Sequence, residues 1–191
     1  MAPMGNKGLA TLRTEIATDD TLPAPATEAL GLLGSEIARL EARLAVIDKQ
    51  LMARHKADPD CRRLSAIPGV GPIGAISFAL RVDAGQFKSG RHFAARLGLV
   101  PRETSTGGKQ RLAGISRAGN ERLRQLLVLG ATAVIRFAKP GRPGVSAWLV
   151  RLPERKPRKL VAIALANKMA RIIWARLTRG EDYRPAKPIA V

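Results

Sequence analysis

Six residues, Ile67-Pro68-Gly69-Val70-Gly71-Pro72, have the types and spacing to hold a phosphate. Glycine tolerates positive φ and lets backbone approach a ligand that a Cβ would hold off. A helix starting at the second proline would aim its N–H groups and partial positive charge at an anion. That is the layout of a helix-hairpin-helix, with Gly69, Val70 and Gly71 as the DNA-facing residues. Ile73 stands where such hairpins often carry a basic side chain. A purely structural corner between two helices is the other reading of the same residues.

A second stretch, Thr104-Ser105-Thr106-Gly107-Gly108-Lys109, gathers hydroxyls, glycines and a cation. It is not a Walker loop. Such a loop needs four residues between its glycines and a Ser or Thr after the lysine, whereas Gly107 and Gly108 are adjacent and Gln110 follows. What remains is a Ser/Thr–Gly loop flanked by Arg102, Lys109 and Arg111. A simple turn closed by Ser or Thr within a basic DNA-contacting loop fits these residues equally. Metal chemistry has little to build on. His55 and His92 are isolated, Cys61 has no paired ligand, and Asp83 suits a turn or cap better than a metal. No metal site and no cofactor is expected in this chain.

The elements that must position these residues are helical. Leu30, Leu33, Ile37, Leu40, Leu44, Ile47 and Leu51 alternate three and four apart, an a/d heptad seam. Glu36, Glu41, Arg43 and Asp48 suit its flanks. The seam predicts a coiled coil with another helix or a second copy, the alternative being a helix lying on the domain's own core. Pro59 ends it. Short helices are expected over 62–67, 73–82 and 90–97, then a long basic loop over 98–119. Asn120 is the expected N-cap of a helix reaching Phe137, and Gly180 the αL cap of a last helix from Arg158. The fold class is therefore mainly α: a long coiled-coil-like helix, then a basic helical domain. Residues 1–26 read as a flexible segment, 27–57 as the coiled-coil helix, 58–180 as the DNA-binding domain, and 181–191 as an unpacked tail.

Charge names the partner class. Of 33 Lys+Arg and 15 Asp+Glu, residues 1–60 hold 7 and 9, leaving 26 and 6 for residues 61–191. The balance is thus −2 in the first stretch and +20 in the second. A surface so basic calls for a polyanion, and nucleic acid is the leading candidate. A membrane surface competes poorly, since only the last helix, with Trp174, comes near an interfacial pattern. The single cysteine and the lack of an apolar signal core or spanning run point to a soluble, cytoplasmic protein.

From Arg62 to Leu127 the run of features is more specific than any one motif. It resembles the C-terminal transposase domain of the insertion-sequence-110 family of bacterial mobile elements. The resemblance lies in Pro68 to Pro72, Asp83, Phe87, Ser89, Arg91, Gly98-Leu99-Val100-Pro101, Ser105 to Lys109, and Ile115 to Asn120. It implies DNA binding, with Gly107, Gly108, Arg117 and Asn120 among the contacts, and DNA recombination. It also implies a nucleophilic serine in the Ser–Gly loop: Ser105, with the neighbouring hydroxyl of Thr106 as runner-up. Arg102, Lys109 and Arg111 become the candidates for steadying phosphoryl oxygens. Such proteins carry an RNase H-like acidic domain that holds magnesium, and some are guided by a structured RNA, which makes that RNA a candidate partner. A homo-oligomer formed through the coiled coil is expected. The acidic set is not recognisable in these residues, so the chain alone is expected to be inactive. A non-catalytic nucleic-acid-binding remnant is the alternative function.

Overall fold

The computed structural model describes residues 6–19, 21–104, 109, 111–139 and 145–185. Among them the chain is mainly helical, with one two-stranded antiparallel ladder. It divides into two compact units, residues 1–50 and 51–191.

In the first unit, α1 (Asn6–Thr18) is followed by the long helix α2 (Ala24–Ala57), which continues into the second unit. A helix stands where the sequence suggests a connector: α1 places the Arg13 side chain against Gly34 of α2, the buried residue of that helix. The proline-broken signal at 19–26 marks only the turn between the two helices. Along α2 most of the heptad seam faces solvent, while its last member, Leu51, lies in the second unit and packs half-buried against that unit's core. Leu33, Leu40, Leu44 and Ile47 are 62, 46, 59 and 50% exposed, so no core of this unit covers them.

The second unit holds the core. Asp58 ends α2 and caps α3 (Pro59–Ser65), accepting from the N–H groups of Asp60 at 2.8 Å and Cys61 at 3.2 Å. A turn leads to α4 (Pro72–Arg81), and a short 3-10 turn, Ala84–Gln86, follows, capped by Asp83. Then come α5 (Gly90–Arg96), β1 (Pro101–Glu103), β2 (Leu112–Ile115), α6 (Glu121–Phe137), α7 (Ala147–Arg155) and α8 (Arg158–Arg179). α8 is the central element, packing against α6 and α5. Its Val161, Ala166, Met169, Ala170 and Ile173 are buried with Leu64, Ile67, Phe78, Phe93 and Leu127. Small residues at Ala166 and Ala170 let neighbouring helices approach where the chain has few aromatics to fill space. The lone thiol of Cys61 lies in this core. Burial, aided by the nearby Asp58 charge, pushes its pKa up to about 11.

Several expectations meet their residues. Asn120 caps α6 by accepting from Leu123 N at 3.1 Å, and Gly180 ends α8 with φ +67°. Three do not. The stretch 98–119 contains the β1–β2 ladder, with Pro101 opposite Ile115 and Glu103 opposite Leu112. Helix α7 precedes the last helix; its Pro153 argues against a helix in sequence, and as the seventh of nine residues it costs the helix one backbone bond just before the helix ends. The tail's first residues are packed: Tyr183 lies against the core, Asp182 pairs with Arg63 at 3.8 Å and Glu181 with Arg176 at 3.4 Å. Residues 186–191 lie outside the described residues.

Candidate nucleic-acid interface

The two glycines of the hairpin have different surroundings. Gly69 has φ +86°, and a Cβ there would come within 2.8 Å of Gly130 O and 2.9 Å of the Met169 methyl. The reverse approach is tighter still, because a Cβ on Gly130 would overlap the carbonyl oxygen of Gly69. Gly69 and Gly130 therefore let the turn lie directly on α6. Gly71 is exposed, has an ordinary φ of −79°, and has nothing within 4 Å of the Cβ position. Val70 is buried and anchors the turn between them.

Gly71 is the N-cap of α4, and no side chain caps this helix. By contrast Asp58, Ser89, Asn120 and Ser146 each accept from a backbone N–H at the start of their helices. Pro72 has no N–H, so the first-turn donors at this end of α4 belong to Ile73 and Gly74. Beside them lies a largely apolar recess of about 240 Å³ lined by Val70, Ile73, Phe78, Leu126, Leu127 and Gly130. A close backbone approach and a helix N-terminus suit a phosphate, while the recess beside them suits an apolar group.

The second candidate stretch is held from its root. Ser116 N donates to Val100 O at 2.8 Å, and Thr104 N to Arg111 O at 3.0 Å. Arg124 of α6 donates through Nη1 to Ala118 O at 2.9 Å and Leu97 O at 3.2 Å. From α8, Asn167 Nδ2 donates to Leu99 O at 3.1 Å. The crossing at Gly98 and Gly119 requires glycine, since both have φ +69° and a Cβ on either would strike backbone. Arg117 also takes a positive φ, +55°, which turns the chain from β2 toward α6.

Arg102, Lys109, Arg111 and Arg117 are exposed on this projection. Ser105, Thr106, Gly107 and Gly108 lie outside the described residues. The Asn120 side-chain oxygen is engaged with Leu123 N, which gives this residue a folding role whether or not it touches a ligand.

Helix α6 joins the two stretches. Its Gly130 receives the hairpin and its Arg124 holds the β1–β2 root. Six residues separate these anchors, about 9 Å along the axis. Neither Gly130 nor Arg124 is marked by the sequence as a site residue. The only sequence sign of Gly130 is a glycine inside an otherwise strong helical pattern, which costs stability unless something packs against it.

The comparisons with known proteins bear on these same residues. A model described as the transposase IS116/IS110/IS902 family matches residues 61–144, from within α3 past the end of α6. The chain belongs to this transposase family. A "probable family 20 transposase" of Pseudomonas aeruginosa is 49% identical over 179 residues, 93% of this chain and 53% of that protein. The transposase for insertion sequence element IS1111A of Coxiella burnetii is 44% identical over 156 residues, 81% of this chain and 43% of that protein. The chain thus spans about half the length of the curated relatives it matches. The family match contains both candidate stretches and the α6 helix that contacts them.

Among the described residues, no three or more His, Cys, Asp or Glu side chains gather in a way that could hold a metal ion. Among the described residues, no helix is long and apolar enough to cross a membrane.

Proposed function

We propose that this transposase-family chain binds DNA through its basic second unit and contributes a serine nucleophile to strand exchange. The observation that carries the reading is the pairing, on one helix, of an uncapped α4 N-terminus at Gly71 and an exposed arginine- and lysine-bearing projection. The +20 balance of residues 61–191 supplies the long-range attraction. Amides at the hairpin would take one phosphate, and Arg102, Lys109, Arg111 and Arg117 others, with Gly107 and Gly108 admitting close backbone approach.

In this reading Ser105 Oγ attacks a DNA phosphorus. The Oγ–P bond forms as a P–O bond to one deoxyribose breaks, the serine proton is lost, and the departing sugar oxygen becomes a free hydroxyl. The phosphoserine ester keeps the bond energy available for rejoining, and the nearby cations steady the phosphoryl oxygens. Metal ions for this chemistry would come from an acidic domain rather than from the described residues. A structured RNA remains a candidate guide. The exposed seam on α2 would pair with a second copy, bringing two such units onto one DNA.

The binding test is salt. Each neutralised phosphate adds about −0.9 to the slope of log K against log salt. A slope of several units on duplex DNA supports the reading, and binding that ignores salt sinks it. The chemical test supplies the acidic domain and DNA, then compares Ser105→Ala with Thr106→Ala for trapped protein–DNA adducts. Loss only in Ser105→Ala supports Ser105, and loss only in Thr106→Ala moves the nucleophile by one residue. Salt-dependent binding with no adduct in any form favours a non-catalytic nucleic-acid-binding protein.

A further inference from the structure

Helix α7 divides its side chains between core and solvent. Leu149 is buried, and Val150 and Leu152 pack half-buried against the core. Trp148 does not join them: it is 39% exposed. Arg151 and Arg155 lie three and seven residues on, which helical spacing places on the same side as Trp148, and both are exposed. From α8, Lys168 sets its Nζ 5.0 Å from the centre of the Trp148 ring. Glu154, the helix's acidic residue, falls about 120° round from Trp148.

The chain's other tryptophan shows what a structural indole does here. Trp174 is half-buried, packs against the core, and donates through Nε1 to Ala84 O at 3.1 Å. Trp148 leaves a large aromatic surface at the protein's edge among three cations. Exposing a tryptophan forfeits the burial that normally stabilises it, and the cations give the exposed ring a matching ligand class. A cation over the ring and two arginines along one line suit a polyanion bearing flat aromatic groups.

We propose that Trp148, with Lys168, Arg151 and Arg155, is a stacking site for unpaired bases of a nucleic-acid strand. The inference rests on the nucleic-acid reading above but concerns other residues and a different state of the ligand. Paired bases already stack on their neighbours and offer no free face. An unpaired base stacks on the indole while the arginines and lysine take the adjacent phosphates, an arrangement tolerant of sequence. The strand could be displaced DNA or an RNA, since both present the same base face and phosphate.

The test uses the full chain with a short oligothymidylate, an oligouridylate of equal length, and a duplex. Base stacking quenches indole fluorescence, and the signal lost in Trp148→Phe isolates the contribution of Trp148 from that of Trp174. The expected result is quenching by at least one single strand. Trp148→Ala should lower affinity for that strand about ten-fold, while Trp148→Phe and duplex binding stay within about two-fold. Quenching by the oligouridylate alone assigns the site to RNA, and by the oligothymidylate alone to displaced DNA. Arg151→Gln with Arg155→Gln should flatten the single-strand salt dependence by about two contacts. Wild-type quenching equal to that of Trp148→Phe, or an equal loss on duplex and single strand in Trp148→Ala, overturns the site. Salt-dependent duplex binding in that same protein would leave the broader DNA reading standing. Failure to bind any of the three ligands would remove both.

Discussion

The two units of this chain use apolar residues in opposite ways. In the first, a regular heptad of leucines and isoleucines lies exposed along α2, with Leu33 and Leu44 among its most open members. In the second, an irregular set of leucines, isoleucines and alanines is sealed around α8. Regular spacing shows which side chains share a face, and nothing about whether the partner lies in the same chain. The irregular core carries its partners with it. The difference is one of closure: the second unit seals a core of its own, though Leu80 and Leu129 stay exposed on its surface, while the first unit's seam lies largely open.

The sharpest way to break that contrast is at the tightest point of the second unit. Gly130→Ala would drive a Cβ into the Gly69 carbonyl, and both groups are backbone that cannot swing aside. Relief requires the hairpin to lift off α6, so the expected cost is roughly 3 kcal/mol or more. Denaturant unfolding followed by circular dichroism would measure it. A variant as stable as wild type would mean that the turn does not rest on α6.

In the first unit, Leu40→Lys together with Leu44→Lys places two charges in the seam without touching the core of the second unit. Positions a and d tolerate charge poorly. Self-association should weaken by about a hundred-fold, roughly 2.7 kcal/mol, while the second unit's unfolding stays put. Sedimentation over a concentration series reads this directly. A wild type that is already monomeric at every concentration would leave the exposed seam without a second copy as partner.

A smaller effect separates the two hairpin glycines. Gly71→Val adds a side chain where nothing lies within 4 Å and φ is ordinary, so folding should be little changed. The new methyl groups would stand where a phosphate must approach the α4 amides. Duplex affinity should fall about ten-fold with the fold retained and at most the loss of about 1 kcal/mol that a poorer N-cap brings. Unaltered affinity would leave the hairpin a structural corner. Gly69→Val is a poor test of binding, because its Cβ meets Gly130 and Met169 before it meets any ligand.

What the sequence disclosed, and what it hid, depends on the range of each signal. The caps at Asn120 and Asp83, the αL end at Gly180 and the break at Asp58-Pro59 are local chemistry within a few residues, and each could be read directly or in outline. The β1–β2 ladder was hidden because its strands are three and four residues long and polar in part, too short for alternation to register. Helix α7 was hidden by Pro153, and α1 by the proline-rich turn beside it. At the candidate interface the hairpin was legible as a tight glycine turn between two helices. The separate tasks of Gly69 and Gly71 were not, since they depend on Gly130, which is 61 residues away from Gly69 in the chain. Trp148 and Lys168 likewise meet only through the packing of α7 on α8.

The smallest expected effect sits where α2 gives way to α3, and it tests whether that break is a local device. The Asp58 carboxylate accepts from the Cys61 and Asp60 N–H groups, and the bond from Cys61 is the main cause holding its pKa below the usual aspartate value. Asp58→Ala should cost about 1 kcal/mol at neutral pH, as loss of an N-cap does. Linkage sets the sign with pH. A carboxyl whose pKa is lower folded than unfolded contributes its full stability above the unfolded value near ~3.9. That contribution is lost as pH falls through the lower, folded value. The gap in unfolding free energy between wild type and Asp58→Ala should therefore hold from neutral pH down to about 5 and narrow on further acidification. A gap that stays constant, or widens, in acid would show that Asp58 stabilises the start of α3 by some means other than its charged carboxylate. The helix break would then owe more to Pro59 than to the cap.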